Sequence, residues 1–132
     1  MKVTIFQDIY KKNKDDAHVI QLSTALRRIK EGQSQHVIEA IRDGSKDFKK
    51  KLPVVLFSGE FEARNDNALE KHSQFIVLDF DHINVEASKA VLSTDPYVYS
   101  CWVSPSGDGL KALVKITNPE RHRDHFRALR TY

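Results

Sequence analysis

An α+β fold is predicted by three observations on this sequence. Phe75-Ile76-Val77-Leu78 is an apolar run too short for an independent helix and rich in β-branched and aromatic residues, so it reads as a buried strand. Between Gly109 and Ile116 the apolar residues recur at every second position, with Leu110, Ala112, Val114 and Ile116 on one face and Lys111, Leu113 and Lys115 on the other. Val19, Leu22, Leu26 and Ile29, in contrast, fall at helical spacing and form one apolar stripe.

The remaining elements follow from local chemistry. Val3-Thr4-Ile5-Phe6 is a short strand with a polar exit loop over residues 7–15. Asp15 or Asp16 can cap a helix that runs to about Glu31 and stops at Gly32, its stripe serving as core. A second helix after Ser34 buries Val37, Ile38 and Ile41 and ends at Gly44, and a third short one around Phe48 is ended by Pro53. Val54-Val55-Leu56-Phe57 is a second buried strand, released by Ser58-Gly59 into a polar loop that carries Arg64. After Asp81, Asn84 can cap a helix through Val91-Leu92, and Asp95-Pro96 breaks it before a strand over residues 97–103. Asn118 before Pro119 starts a last helix, with Phe126 and Leu129 on one face.

Composition bounds the function. A chain of 132 residues, 40% hydrophobic and 30% charged, suits one soluble domain with a single core. Cys101 is the single cysteine, which rules out an internal disulfide framework and fits a reducing cytoplasm. No apolar run is long enough to span a bilayer, so no membrane role is expected. The net charge of +3 is compatible with nucleic acid. Lys46, Lys49, Lys50 and Lys51, and separately Arg121, Arg123, Arg127 and Arg130, could track a phosphate backbone or simply be solvated helix faces. His72 and His82 have no partner at ligand spacing, and His122 with His125 lacks cysteines nearby, so no zinc is assigned.

Chemistry concentrates where the first-named strand ends. Asp79 and Asp81 alternate with Phe80 and so project from one face, about 6 to 7 Å apart between Cα atoms. Two adjacent carboxylates can hold Mg2+ or Mn2+ and leave positions for phosphate and water, although an isolated Asp-x-Asp also fits two solvated acids. The turn Ser104-Pro105-Ser106-Gly107-Asp108-Gly109 offers hydroxyls, permissive glycines and, two residues on, the ammonium of Lys111. That set could cradle one phosphate, or form an ordinary hairpin with a solvent-facing lysine. Arg64 could grip a phosphate bidentately or pair with an acid.

Together these residues resemble a known family. A hydrophobic strand ending in Asp79-Phe80-Asp81, followed by a helix, a strand and Ser104-x-Ser106-Gly107-x-Gly109 with a basic residue, is similar to the first two motifs of the archaeo-eukaryotic primase, or primase-polymerase, superfamily. More closely, the chain resembles the VirE N-terminal-like domain of bacterial mobile-element proteins, often found ahead of a helicase-type ATPase. That likeness runs through Val3-Thr4-Ile5-Phe6, Arg28-Ile29-Lys30-Glu31-Gly32, Leu52-Pro53, Phe57-Ser58-Gly59-Glu60-Phe61, Arg64, His72-Ser73, Asp79-Phe80-Asp81-His82 and the segment 104–111. The resemblance implies metal-binding, catalytic carboxylates at Asp79 and Asp81, and nucleotide contacts from Ser104, Ser106, Gly107, Lys111 and Arg64. It also implies DNA and a nucleoside triphosphate as partners, and metal-dependent nucleotidyl transfer during DNA replication. Two positions differ: the superfamily usually has histidine where Lys111 stands, and its third acid has no counterpart after Lys111, since Asp124 falls in a helical pattern. The implied enzyme is therefore the intact parent protein, with this chain inactive alone. The alternative is a non-catalytic nucleic-acid or nucleotide-binding module attached to the ATPase; a protein-interaction domain is a plainer third reading.

The expected order from Phe75 is strand, helix, strand, strand, helix, a ferredoxin-like or RNA-recognition-type split unit without its last strand. It would occupy residues 71–132, preceded by a largely helical half over residues 1–70, within one truncated domain. One sheet face would carry helices and the other could hold ligand. An open edge is then expected, as in a piece of a longer protein or an edge-strand dimer.

Overall fold

The computed structural model describes residues 1–131, with the side chains of Lys46, Asp66, Pro119, Phe126, Leu129, Arg130 and Thr131 left aside. It is a mixed α+β structure built around two three-stranded antiparallel sheets and a two-stranded one. The expectation that Phe126 and Leu129 share a face, and those for the Lys46 and Arg130 side chains, lie outside the described residues.

The amino-terminal half contains more strand than its sequence suggests. Strand β1 (Lys2–Phe6) is the centre of a sheet, flanked by β2 (His18–Gln21) and β3 (Val54–Leu56). The helix expected from Asp15 or Asp16 is replaced by a single 3-10 turn, Lys14–Asp16, and then by β2, whose residues pair from Lys2↔Gln21 to Ile5↔His18. Cross-strand pairing outweighs the weak helical preference of this segment. Helix α1 begins only at Leu22 and runs Leu22–Lys30. Its stripe is accordingly only partly core: Leu22 is buried, whereas Val19 on β2 is 46% exposed and Ile29 38%. Helix α2 (Gln35–Arg42) follows Ser34 as expected and buries Ile41, and a 3-10 segment Lys46–Lys51 holds Phe48 beneath the Lys51 ammonium at 4.3 Å.

Strand β3 is an edge strand of intermediate burial, not a fully buried one. The stretch after it, expected as loop, contains the hairpin β4 (Gly59–Phe61) and β5 (Leu69–His72). Charged residues such as Glu60, Glu70 and Lys71 hide these short strands from a hydrophobicity pattern. The fully buried Thr4 stitches the hairpin to β1: its hydroxyl donates to the Gly59 carbonyl at 2.9 Å and accepts from the Phe61 N–H at 2.8 Å.

From residue 75 the expected order holds, as β6 (Phe75–Phe80), α3 (Val85–Thr94), β7 (Val98–Val103), β8 (Leu110–Lys115) and α4 (His122–Thr131). Asn84 caps α3 through its side chain, which accepts from the Ala87 N–H. β8 lies between β6 and β7 and is antiparallel to both, so β6 and β7 run parallel, joined by α3, in a split β-α-β arrangement. Among the described residues, β6 and β7 each have a strand neighbour on one side only.

The two faces of this sheet have different partners. Ile76, Ala112 and Val114 share the face toward α3. Phe75, Val77, Leu113 and Trp102 share the other and join Val3, Leu22, Ala25 and Phe57 in one core. The face expected to be open for ligand is therefore filled along most of its length by the amino-terminal half. Only its end, beyond Val77 and Leu113, is left for polar side chains.

Candidate functional site

That end carries Asp79. The register sets Asp79 of β6 directly opposite Lys111 of β8, and Lys111 opposite Trp102 of β7, so all three share the core-side face. The Lys111 ammonium donates to Asp79 Oδ1 at 2.7 Å, with the side chains 33% and 55% exposed. Lys111 thus faces Asp79 as expected, but its charge is committed to a carboxylate. Asp81 lies just past the end of β6 and is exposed. Asp79 Oδ2 and both carboxylate oxygens of Asp81 have no hydrogen-bond partner among the described residues. Such a donor set suits Mg2+ or Mn2+, hard ions commonly held by one or two carboxylates with phosphate and water completing the shell. Among the described residues no third His, Cys, Asp or Glu joins the two acids in a metal-sized group.

The 104–109 turn abuts the strand end. A Cβ on Gly109 would lie 2.4 Å from the Phe80 carbonyl oxygen and 3.3 Å from Asp81 Oδ1, so a residue without a side chain is required there for the turn to close against the acids. Ser104 N–H donates to the Gly109 carbonyl and Gly107 N–H to the Ser104 carbonyl, with Gly107 at φ +86°. The hydroxyls of Ser104 and Ser106 lie 3.1 Å apart, and Ser106 donates to Asp108 Oδ1 at 2.7 Å. Asp108 Oδ2 in turn meets His82 Nδ1 at 2.8 Å. The Ser106 hydroxyl, with His82 adding to it, holds the Asp108 carboxyl below the usual carboxylate range against an opposing desolvation. Ser106 is therefore oriented toward an anion, and in this structure that anion is the turn's own carboxylate.

A residue that sequence reasoning missed secures the turn. Arg42, at the end of α2, donates from Nε to the Pro105 carbonyl at 3.3 Å and from Nη2 to the Ser104 carbonyl at 3.2 Å. Nothing in the local sequence of α2 signals this contact, which joins positions 62 and 63 residues apart. His82, for which the sequence offers no metal-ligand partner, forms an ion-pair contact with Asp108. A sequence signal did exist for Asp108, because an acid two residues from Ser106 in a glycine turn is within reach of that hydroxyl.

Between the two halves lies a cleft of about 930 Å³. Asp79, Lys111 and Trp102 form part of one wall; Arg28, Lys49 and Arg64 come from the other half. Ser104, Ser106, Gly107 and Asp81 do not line it, so the expected residues divide into a cleft group and a turn group adjoining at the end of β6. The Arg64 guanidinium donates to the Ile9 carbonyl at 2.9 Å, a neutral partner. Ile29 also lines the cleft, although its stripe was read as core only.

His122 borders the same cleft and is hydrogen-bonded to His72, a contact the sequence did not indicate. Gln74 N–H donates to His72 Nδ1 at 2.8 Å, so the His72 proton is on Nε2 and donates to His122 Nδ1 at 2.8 Å. Burial and then the neighbouring His122 push the His72 pKa down; burial and then His125 do the same for His122. Cys101 is half-buried beside Ser93, and Asp124 at the start of α4 pairs with Arg121 of the turn just before it.

A family model described as BT4734-like, N-terminal domain matches residues 47–131. No curated protein matches the chain, and no solved structure does. The matched span contains both acids, the turn, Lys111 and Arg64, and it begins after Arg42.

Proposed function

The chain belongs to the BT4734-like N-terminal domain family, and we propose that it is a primase-polymerase-like nucleotide-binding domain whose full-length parent carries out metal-dependent nucleotidyl transfer in DNA replication. The observation that carries this reading is the cross-strand juxtaposition at the end of β6. There Asp79 faces Lys111, and the serine-glycine turn closes onto Asp81. Asp79 and Asp81 hold Mg2+ or Mn2+, which supplies charge neutralisation for the triphosphate. Ser104 and Ser106 supply hydroxyl donors to a phosphate and Gly107 the tight backbone that positions them, while Lys111 and Arg64 add positive charge in the adjoining cleft. The split β-α-β arrangement agrees with the primase-polymerase likeness of the sequence.

Titration calorimetry of a nucleoside triphosphate with Mg2+ or Mn2+ tests the reading. Asp79→Asn and Asp81→Asn are each expected to weaken metal-dependent binding tenfold or more, while Lys111→Met weakens binding with less dependence on the metal. Equal affinity in wild type and both acid variants would overturn the assignment. In the parent protein, primer extension should be lost in Asp79→Ala.

One observation favours the non-catalytic alternative, a DNA- or nucleotide-binding module acting with a helicase-type ATPase. Lys111 already neutralises Asp79, and the described residues offer two acids without a third. DNA binding that falls steeply with salt and ignores Mg2+ would select this alternative.

A further inference from the structure

Building on the nucleotide reading, we propose that Arg42 is a phosphate-binding cation of the 104–109 turn, serving both to hold the turn's backbone and to supply a positive charge that is not already paired with a carboxylate. Lys111 spends its ammonium on Asp79 at 2.7 Å. Arg42 is hydrogen-bonded to the Ser104 and Pro105 carbonyls, which are uncharged, and it has no carboxylate partner among the described residues. A guanidinium has five N–H donors in a rigid fork. Nε and Nη2 serve the two carbonyls, and Nη1 donates to no described residue.

The Arg42 side chain runs directly over Gly107. A Cβ there would lie 3.3 Å from Arg42 Nε, so the guanidinium rests directly against the turn where a side chain would stand. The turn is already disposed toward an anion, as the Ser106 hydroxyl donating to Asp108 demonstrates. A phosphate oxygen that replaces Asp108 on Ser106 would bind the same turn whose Ser104 and Pro105 carbonyls Arg42 holds, while His82 keeps the displaced Asp108 carboxylate. The ligand chemistry is a terminal or bridging phosphate of a nucleoside triphosphate or of an inorganic polyphosphate.

The test measures binding of nucleoside triphosphate, the matching unphosphorylated nucleoside and inorganic pyrophosphate, each with Mg2+, to wild type, Arg42→Ala and Arg42→Lys. Arg42→Ala is expected to lose tenfold or more in affinity for triphosphate and pyrophosphate, with nucleoside binding unchanged. Arg42→Lys, which keeps the charge but cannot bond two carbonyls and an anion together, should fall between. Circular dichroism of Arg42→Lys guards against a folding defect in the alanine variant. Unchanged pyrophosphate affinity in Arg42→Ala, or an equal loss for nucleoside and pyrophosphate, would overturn the assignment. If wild type binds pyrophosphate but not nucleotide, the proposed function fails, and Arg42 stands only if its removal abolishes the pyrophosphate binding. Binding of neither overturns both.

Discussion

The two walls of the cleft are assembled differently. The β6-β8-β7 wall draws on residues 75–115, with six-residue strands and an uninterrupted β6–β8 register that brings Asp79 onto Lys111. The facing wall gathers β1, β3, α1 and the 3-10 segment from distant parts of the chain, and a single hydroxyl, that of Thr4, links residues 55 positions apart. One wall is thus fixed by neighbours in sequence and the other by long-range closure. The difference predicts that the acid end of β6 is rigidly preset, while the positions of Arg28, Lys49 and Arg64 depend on how well the halves are sealed.

The most severe way to break this contrast is to remove a residue common to both walls. Phe75 is 1% exposed within the core that unites Val3, Leu22 and Phe57 with Leu113. Phe75→Ala should cost about 3–5 kcal/mol in urea unfolding, lost in a single transition. Two separate transitions would show that the walls fold independently.

A smaller effect isolates the long-range wall. Thr4→Val preserves shape but leaves the Gly59 carbonyl and the Phe61 N–H without their partner. It should cost about 1–3 kcal/mol, with faster amide exchange at Phe61 and little change along β8. Equal loss of protection in β8 would erase the distinction between the walls.

The smallest effect concerns the seam at His72 and His122. Both have a folded pKa below the ordinary histidine value of 6.5. The unfolded chain therefore binds more protons through this range, so the contribution is complete above pH 6.5 and is lost as pH falls through the lower folded values. The urea midpoint should drop between about pH 7.5 and pH 5, and drop less in His122→Gln. A midpoint equally pH-dependent in both proteins would remove the pair from the seam.

Legibility followed the same division. The six-residue strands, the α3 cap at Asn84 and the alternation about Lys111 were readable because strand period and capping chemistry are local properties. His18-Val19-Ile20-Gln21 was misread as helix because its strand state comes from pairing with β1, and β4 and β5 were missed because their charged residues carry no apolar period. The Arg42 contact and the His72–His122 pair were illegible for a related reason. A hydrogen bond has direction and reach, and neither is written in residue identity.

The sequence by itself determined the order of elements from β6 to α4, the alternation of side chains along β6 and β8, and the tight glycine turn beside them. These are consequences of side-chain alternation and backbone freedom over a few residues. Only the tertiary structure decided that Lys111 is neutralised by Asp79, that Arg42 clasps the turn, and that the sheet face behind them is sealed by the amino-terminal half. Those outcomes depend on distances between segments remote in the chain, which packing of the common core fixes and local preference does not.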